Sequence, residues 1–215
     1  MKTRVLVLAV VAALVGAASA HAQLREGTVE LNGFAGYLVG GHFGDVPGTP
    51  LYQYGYRLDI GDDVNYGGRI GYNFNNTFEA EFEYARTPSH LQIDPFRSNL
   101  PTVDFAPLTI QYFMAYMTFN FGRGRSVGFF TIGGGAADFQ ATYTDLGSRS
   151  KTYGTAAIGG GYKYFFNPHF ALRLDAKLYS TAVGSRTFYC GYGYYCHGTT
   201  WVTNFVPSGG FLVAF

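Results

Sequence analysis

Residues 201–215 close the chain as WVTNFVPSGGFLVAF. Counting back from the end, Phe215, Val213, Phe211, Gly209, Pro207, Phe205, Thr203 and Trp201 share one parity. That is the period-2 face of an extended strand, with aromatic residues at both ends. The opposite parity, Ala214, Leu212, Gly210, Ser208, Val206 and Asn204, is smaller and more polar. An aromatic-ended face of this kind suits lipid, but a lone strand in a bilayer would leave backbone groups unpaired at several kcal/mol each. The stretch therefore needs partners that close a sheet around it. Pro207 lacks an N–H, so in a sheet without edges it is expected at a bulge or above the membrane.

At the other end, residues 1–22 read as a cleaved signal peptide. Lys2 and Arg4 form a positive n-region, residues 5–18 an apolar run, and Ala18-Ser19-Ala20 and Ala20-His21-Ala22 two small-residue cleavage sites. The run is shorter than the roughly 20 residues a spanning helix needs. Residues 23–215 then form one domain. No later segment is long and apolar enough for a membrane helix, yet aromatic residues make up 18%, charged residues only 13%, and glycine numbers 30 of 215. The charged share is about half that of an ordinary soluble domain. Without Lys2 and Arg4 the formal charge falls from +1 to about −1, and no basic field for nucleic acid remains. Export places Cys190 and Cys196 in an oxidising compartment, where a disulfide between them is expected.

Period-2 alternation recurs along the whole remaining chain. Residues 28–39 set Val29, Leu31, Gly33, Ala35 and Tyr37 against Glu30, Asn32, Phe34 and Gly36. Residues 64–74 do the same with Tyr66, Ile70 and Tyr72 against Asn65, Arg69 and Asn73, before a turn at Asn75-Asn76. Phe78, Ala80, Phe82 and Tyr84 then oppose Glu79, Glu81 and Glu83; a helical period would scatter these three acids, whereas a strand puts all of them on one face. Further strands are read at 108–121, with Tyr112, Met114, Tyr116, Thr118 and Asn120 inward, and at 126–139, 153–165 and 169–179. With the closing stretch this makes eight.

Short turns at 75–76, 122–125 and 167–168 alternate with long, Pro-, Gly- or Tyr-rich connections at 40–63, 87–107, 140–152 and 180–200. The expected fold is all-β: an eight-stranded antiparallel up-and-down transmembrane β-barrel. A soluble sandwich explains the alternation too. It does not explain apolar rows flanked by Tyr and Trp, a regular short/long loop sequence and a terminal Phe together.

Parity sends Glu30, Arg69, Glu79, Glu81, Glu83, Lys163, Arg173, Asp175 and Lys177 to the lumen. Arg or Lys at the bilayer midplane on the lipid face would cost roughly 2–4 kcal/mol. Six of these charges lie on the third and seventh strands, opposite one another in an eight-strand ring, so a wall of acids faces a mostly basic wall. Two uses are open: a self-neutralising plug in a barrel too narrow for a wide pore, or a small gated, porin-like ion path.

At this point the chain resembles the small outer-membrane β-barrel proteins of the OmpA/OmpX type in Gram-negative bacteria. The resemblance rests on the strand pattern of residues 28–215 and on the ending Phe211-x-Val213-x-Phe215. It implies that Phe211, Val213 and Phe215 form the sorting signal read by the outer-membrane assembly machinery, with Phe215 on the periplasmic side and Trp201 at the outer rim. It further implies a barrel without a peptidoglycan-binding domain and contact with outer-membrane lipid and lipopolysaccharide; from the residues themselves no metal is expected, since only His197 lies near the cysteines, and no cofactor is expected. The role is left open, because this fold hosts adhesins, enzymes and passive structural proteins.

Three residue groups remain. Lipid A-modifying barrels use His with Ser or Asp near the outer rim; His90 follows Ser89 with Asp94 nearby, and His42 and His197 are loop residues, but no motif aligns, and no catalytic residue is assigned. Gly133 to Gly135 and Gly159 to Gly161 precede neither Lys-Ser/Thr nor a helix, so they make room inside the barrel rather than cradling phosphate. Tyr52, Tyr54 and Tyr56 in the first long loop and Tyr192, Tyr194 and Tyr195 in the fourth form either a contact surface for an extracellular ligand or an aromatic girdle at the head groups. A monomer is expected.

Overall fold

A computed structural model of the chain describes residues 26–42, 57–94, 101–143, 147–191 and 194–215. Its strands are β1 Val29–Leu38, β2 Arg57–Ile60, β3 Asp63–Asn73, β4 Phe78–Asp94, β5 Val103–Arg123, β6 Ser126–Tyr143, β7 Gly147–Phe165, β8 Phe170–Gly191 and β9 Tyr194–Ala214. All described pairings are antiparallel. The order β4-β3-β1-β9-β8-β7-β6-β5, with β5 paired back to β4, closes a ring of eight. The short β2 pairs with β4 beyond the end of β3 and acts as its outward continuation. The closing stretch accordingly lies between β1 and β8. The proposed leader, residues 1–22, lies outside the described residues.

Local chemistry sets the short turns. Asn75 Oδ1 accepts the amides of Thr77 and Phe78, and Asn167 Oδ1 those of His169 and Phe170. The third turn holds Gly122 and Gly124 at φ 108° and 78°, a region that side-chain-bearing residues rarely enter.

The opposite end departs from the sequence expectation. The stretches read as long loops at 87–107, 140–152 and 180–200 are largely strand, and β4 to β9 run 17 to 22 residues. A tilted membrane strand needs only about 9–11. Pro88 and Pro107, which fall in the proline-containing stretch expected as a loop at 87–107, sit in register opposite Thr109 and His90. Ladder parity explains why they are tolerated. His90 presents its carbonyl to Gly61, so Pro88, of the same parity, faces that side, between the last β3 pair at Arg86 and the first β2 pair at Leu91. Asn120 donates toward β4, so odd-numbered Pro107 faces β6, just past the last pair of that ladder at Leu108. Neither proline removes a bond that a neighbouring strand was placed to accept.

Of the two places expected for Pro207, it does not sit at a bulge, since it pairs regularly with Ala176 in β8, and the β1–β9 register sets it level with Tyr37 of the upper aromatic row. Phe205 and Phe215 exchange bonds with β1, so Pro207 faces β1 as well. The β1–β9 ladder lapses there, stopping at Gly36–Ser208 and resuming with the same register at Val39–Phe205. The missing N–H costs a gap in one ladder rather than a kink in the strand.

Outside, an aliphatic band that includes Leu31, Ile70, Ile132, Ile158 and Leu174 lies between aromatic rows, Tyr72, Phe74, Tyr164 and Phe170 toward the short turns and Tyr37, Tyr66 and Trp201 toward the long hairpins. Above the upper row the outer face turns polar, as where Asp138 accepts bonds from Gln140, Ser150 and Thr152. That change marks where the wall leaves lipid for water. Inside, Val127, Phe165, Ala171, Leu212 and Ala214 pack at the short-turn end. Leu38, Ile110, Met114, Val202 and Val206, with others, fill the upper end. Charged side chains occupy the storey between.

Candidate functional site

The nine charges assigned to the lumen by parity are all buried there, each at most 7% exposed. Alternation on β1, β3, β4, β7 and β8 aims them inward, and small residues make the space. A Cβ on Gly159 would strike Lys177, one on Gly161 would strike Asp175, and one on Gly133 the ring of Tyr116.

The charges stack in three layers. Nearest the short turns, Lys163 Nζ lies 2.6 Å from Glu30 Oε2 and 2.7 Å from Glu79 Oε2. Asn73 Nδ2 donates to Glu30 at 2.9 Å and Asn120 Nδ2 to Glu79 at 3.1 Å. In the middle, Arg173 grips Glu81 with both terminal nitrogens, at 3.0 and 3.1 Å, while its Nε donates to Asp175 at 3.2 Å. Two-pronged pairing of this kind fixes the angle of both groups as well as their distance. Thr118 adds a bond to Glu81 at 2.6 Å, and the Arg173 guanidinium lies 4.3 Å from the centre of the Phe129 ring.

In the third layer Arg69 donates through Nε to Glu83 and pairs with Asp175 at 2.9 Å. Its plane stacks on Phe34 at 3.8 Å, and Asn32 and Ser208 accept its remaining protons. Glu83 is the hub. It takes Arg69 and Lys177 on Oε2 and the hydroxyls of Tyr116 and Tyr179 on Oε1 at 3.1 and 2.6 Å. Tyr179 stacks on Tyr112 with centroids 4.4 Å apart, and the Tyr112 hydroxyl accepts a bond from Asn204. The charged storey therefore ends under an aromatic ceiling. Acids of β4 thus pair across the ring with cations of β7 and β8, and also with Arg69 on neighbouring β3.

The neutral partners Asn32, Asn73, Asn120, Ser208, Tyr116 and Tyr179 were not assigned to the site from sequence, although strand parity turns each of them inward. What parity lacks is depth, and only the register shows which layer each one serves.

The other candidate groups are not brought together. Ser89 Oγ donates to the Gly61 carbonyl inside the wall. His90, one residue on and so on the other face, places Nε2 3.3 Å from Asp104. Ser89 and His90 form no nucleophile–base pair. His42 is bridged through its backbone to Asp59. Among the described residues no group of three or more His, Cys, Asp or Glu side chains is set to hold a metal. Tyr52, Tyr54, Tyr56 and Tyr192 lie outside the described residues. Tyr194, Tyr195, Cys190 and Cys196 are described in backbone only: Cys196 pairs with Phe188, and Cys190 falls at the irregularity between Tyr189 and Gly191. Phe211 and Phe215 point outward, while Val213 is half-buried.

A closed antiparallel ring with an apolar belt, aromatic rows and buried, paired charges inside is a transmembrane β-barrel. Residues 8–195 match the family model of the outer membrane protein beta-barrel domain, and the chain belongs to that family. Its place is the bacterial outer membrane. Solved structures similar to it include OprG of Pseudomonas aeruginosa, at 15% identity and TM-score 0.58, covering 91% of this chain and 99% of that one. Neisserial surface protein A follows at 13% identity and TM-score 0.58, covering 88% and 100%. Ail of Yersinia pestis, solved with the heparin analogue sucrose octasulfate, stands at 15% identity and TM-score 0.52, covering 89% and 100%. At these identities the likeness is one of fold. No curated protein matches the chain.

Proposed function

We propose that this outer-membrane barrel is a non-catalytic structural or surface-binding protein whose lumen is closed to ions and whose contacts are made by the hairpins beyond the membrane. One observation carries the reading. Among the described residues, the ion-paired storey is held between two clusters of buried apolar side chains. A hydrated ion crossing it would have to open the Arg173–Glu81 clamp and then pass Tyr112, Met114 and Ile110, each fully buried. The long hairpins supply a wall with a polar outer face and its own apolar interior, rigid enough to present a surface to lipopolysaccharide or an extracellular ligand. The assembly machinery would be met earlier, through the Phe211-x-Val213-x-Phe215 ending.

The experiment is conductance. Purified protein, shown to be folded by a mobility shift on boiling, is expected to give no unitary steps in planar bilayers. Glu81→Gln and Arg173→Gln, which break the clamp, should bring leak currents if they alter conductance at all. Regular steps from the unaltered protein, changed in size by either substitution, would establish the porin-like reading instead.

A further inference from the structure

Charge is not evenly distributed among the three layers. Among the described residues, the buried interior holds five carboxylates, Glu30, Glu79, Glu81, Glu83 and Asp175, against four cations, Arg69, Lys163, Arg173 and Lys177. The upper two layers balance, since Arg69, Arg173 and Lys177 together answer Glu81, Glu83 and Asp175. The surplus negative charge falls on the lowest layer, where Lys163 alone serves both Glu30 and Glu79.

A second, independent observation falls on the same layer. Asn73 Oδ1, Glu79 Oε1 and Asn120 Oδ1 are buried without a hydrogen-bond partner, on residues at most 4% exposed. The three are neighbours in the wall: Asn73 pairs directly with Glu79, and Asn120 donates to it. Both amides spend an N–H on a carboxylate, which leaves their carbonyl oxygens free. Gly71 completes the arrangement, for a Cβ there would fall on Glu79 Oε1.

We propose that this layer binds one monovalent cation of the sodium class, held by Glu79 Oε1 and the carbonyl oxygens of Asn73 and Asn120. Hard oxygen ligands favour an alkali or alkaline-earth ion over a soft metal. A single positive charge cancels the surplus, whereas a divalent ion would reverse it beside Lys163. A water molecule has only two protons for three acceptors and leaves the charge uncompensated, which is costly in an interior of low dielectric. The apolar cluster of Val127, Phe165, Ala171, Leu212 and Ala214 closes the short-turn end. The ion therefore enters as the barrel folds, and its binding is read in stability rather than in flux. The proposal does not depend on whether the upper lumen conducts.

The test is urea unfolding of the folded protein in detergent, in sodium chloride series against N-methyl-D-glucamine chloride at constant ionic strength. Sodium should raise the midpoint and then saturate, as binding to the folded state alone requires. Glu79→Gln, which removes the surplus charge with little change of shape, should abolish the dependence. Asn120→Ser, which deletes one ligand, should raise the half-saturating concentration about tenfold. Equal midpoints in the two salts for the unaltered protein would overturn the proposal without any variant being needed, and a midpoint that moved with pH but not with sodium would mean that the layer holds a proton. A sodium effect undiminished in Glu79→Gln would place the ion elsewhere and overturn it equally.

Discussion

Glu83→Ala should destabilise the folded barrel by about 3–5 kcal/mol, the usual cost of stripping one partner from a buried pair. The substitution leaves Arg69 Nε and Lys177 Nζ without their shared carboxylate and frees the hydroxyls of Tyr116 and Tyr179 in the same place. Glu83 is fully buried, so these donors are cut off from bulk solvent. The readout is the urea midpoint of purified protein in detergent, with the slope checked for constancy. A control separates loss of charge balance from loss of volume. Glu83→Leu combined with Lys177→Met restores a neutral, filled core and should recover more than half of the loss, because apolar replacement of a whole buried pair is often near neutral. A deficit below about 1 kcal/mol for the single variant would mean a solvated network, since exposed pairs are worth that little.

Why this network could be read from the sequence, while much around it could not, follows from what strand parity carries. Parity separates inside from outside, and a charge has strong reason to be inside. Glu79, Glu81 and Glu83 alternate with Phe78, Ala80, Phe82 and Tyr84 without a break, so their placement needs no tertiary information. Parity says nothing of height. Ile110, Tyr112 and Met114 share the inward phase of Thr118 and Asn120, yet the first three line the apolar upper storey and the last two the charged one. A narrow barrel must be filled by side chains of either kind, and the alternation is the same for both.

The hairpin extensions were hidden for a related reason. Beyond the membrane the outer face is polar and the inner face still apolar, which loosens the lipid-facing pattern without ending the strand. Prolines and tyrosines then read as loop. Pro88, Pro107 and Pro207 show the limit of that inference, because a proline breaks a ladder only when its missing N–H faces a strand placed to accept it. Each of the three faces a place where the ladder has ended or lapses. Which way a proline faces depends on register, and register is a property of the closed ring.

Ile132→Arg should cost about 2–4 kcal/mol in lipid vesicles, whereas Gln140→Arg should change stability by no more than about 0.5 kcal/mol. Both positions lie on β6, eight residues apart and of one parity, so strand, face and inserted group are held constant. Only depth differs. Ile132 pairs with Met117 and Ile158 in the middle of the aliphatic band, so its arginine would have to be desolvated or carried to an interface. Gln140 pairs with Thr109 and Ser150 and bonds Asp138, in the part of the wall whose outer face is polar. At about 3.3–3.4 Å per residue the two lie roughly 27 Å apart along the strand, comparable to the lipid-facing band of an outer-membrane barrel. Equal small losses at both positions would contradict a lipid belt at Ile132, and equal large losses would carry the belt up the hairpin and remove the aqueous wall on which the proposed surface-binding reading depends. The expected contrast locates the water boundary on β6 between these two residues, and with it the stretch of wall that the proposed surface-binding role requires to stand clear of lipid.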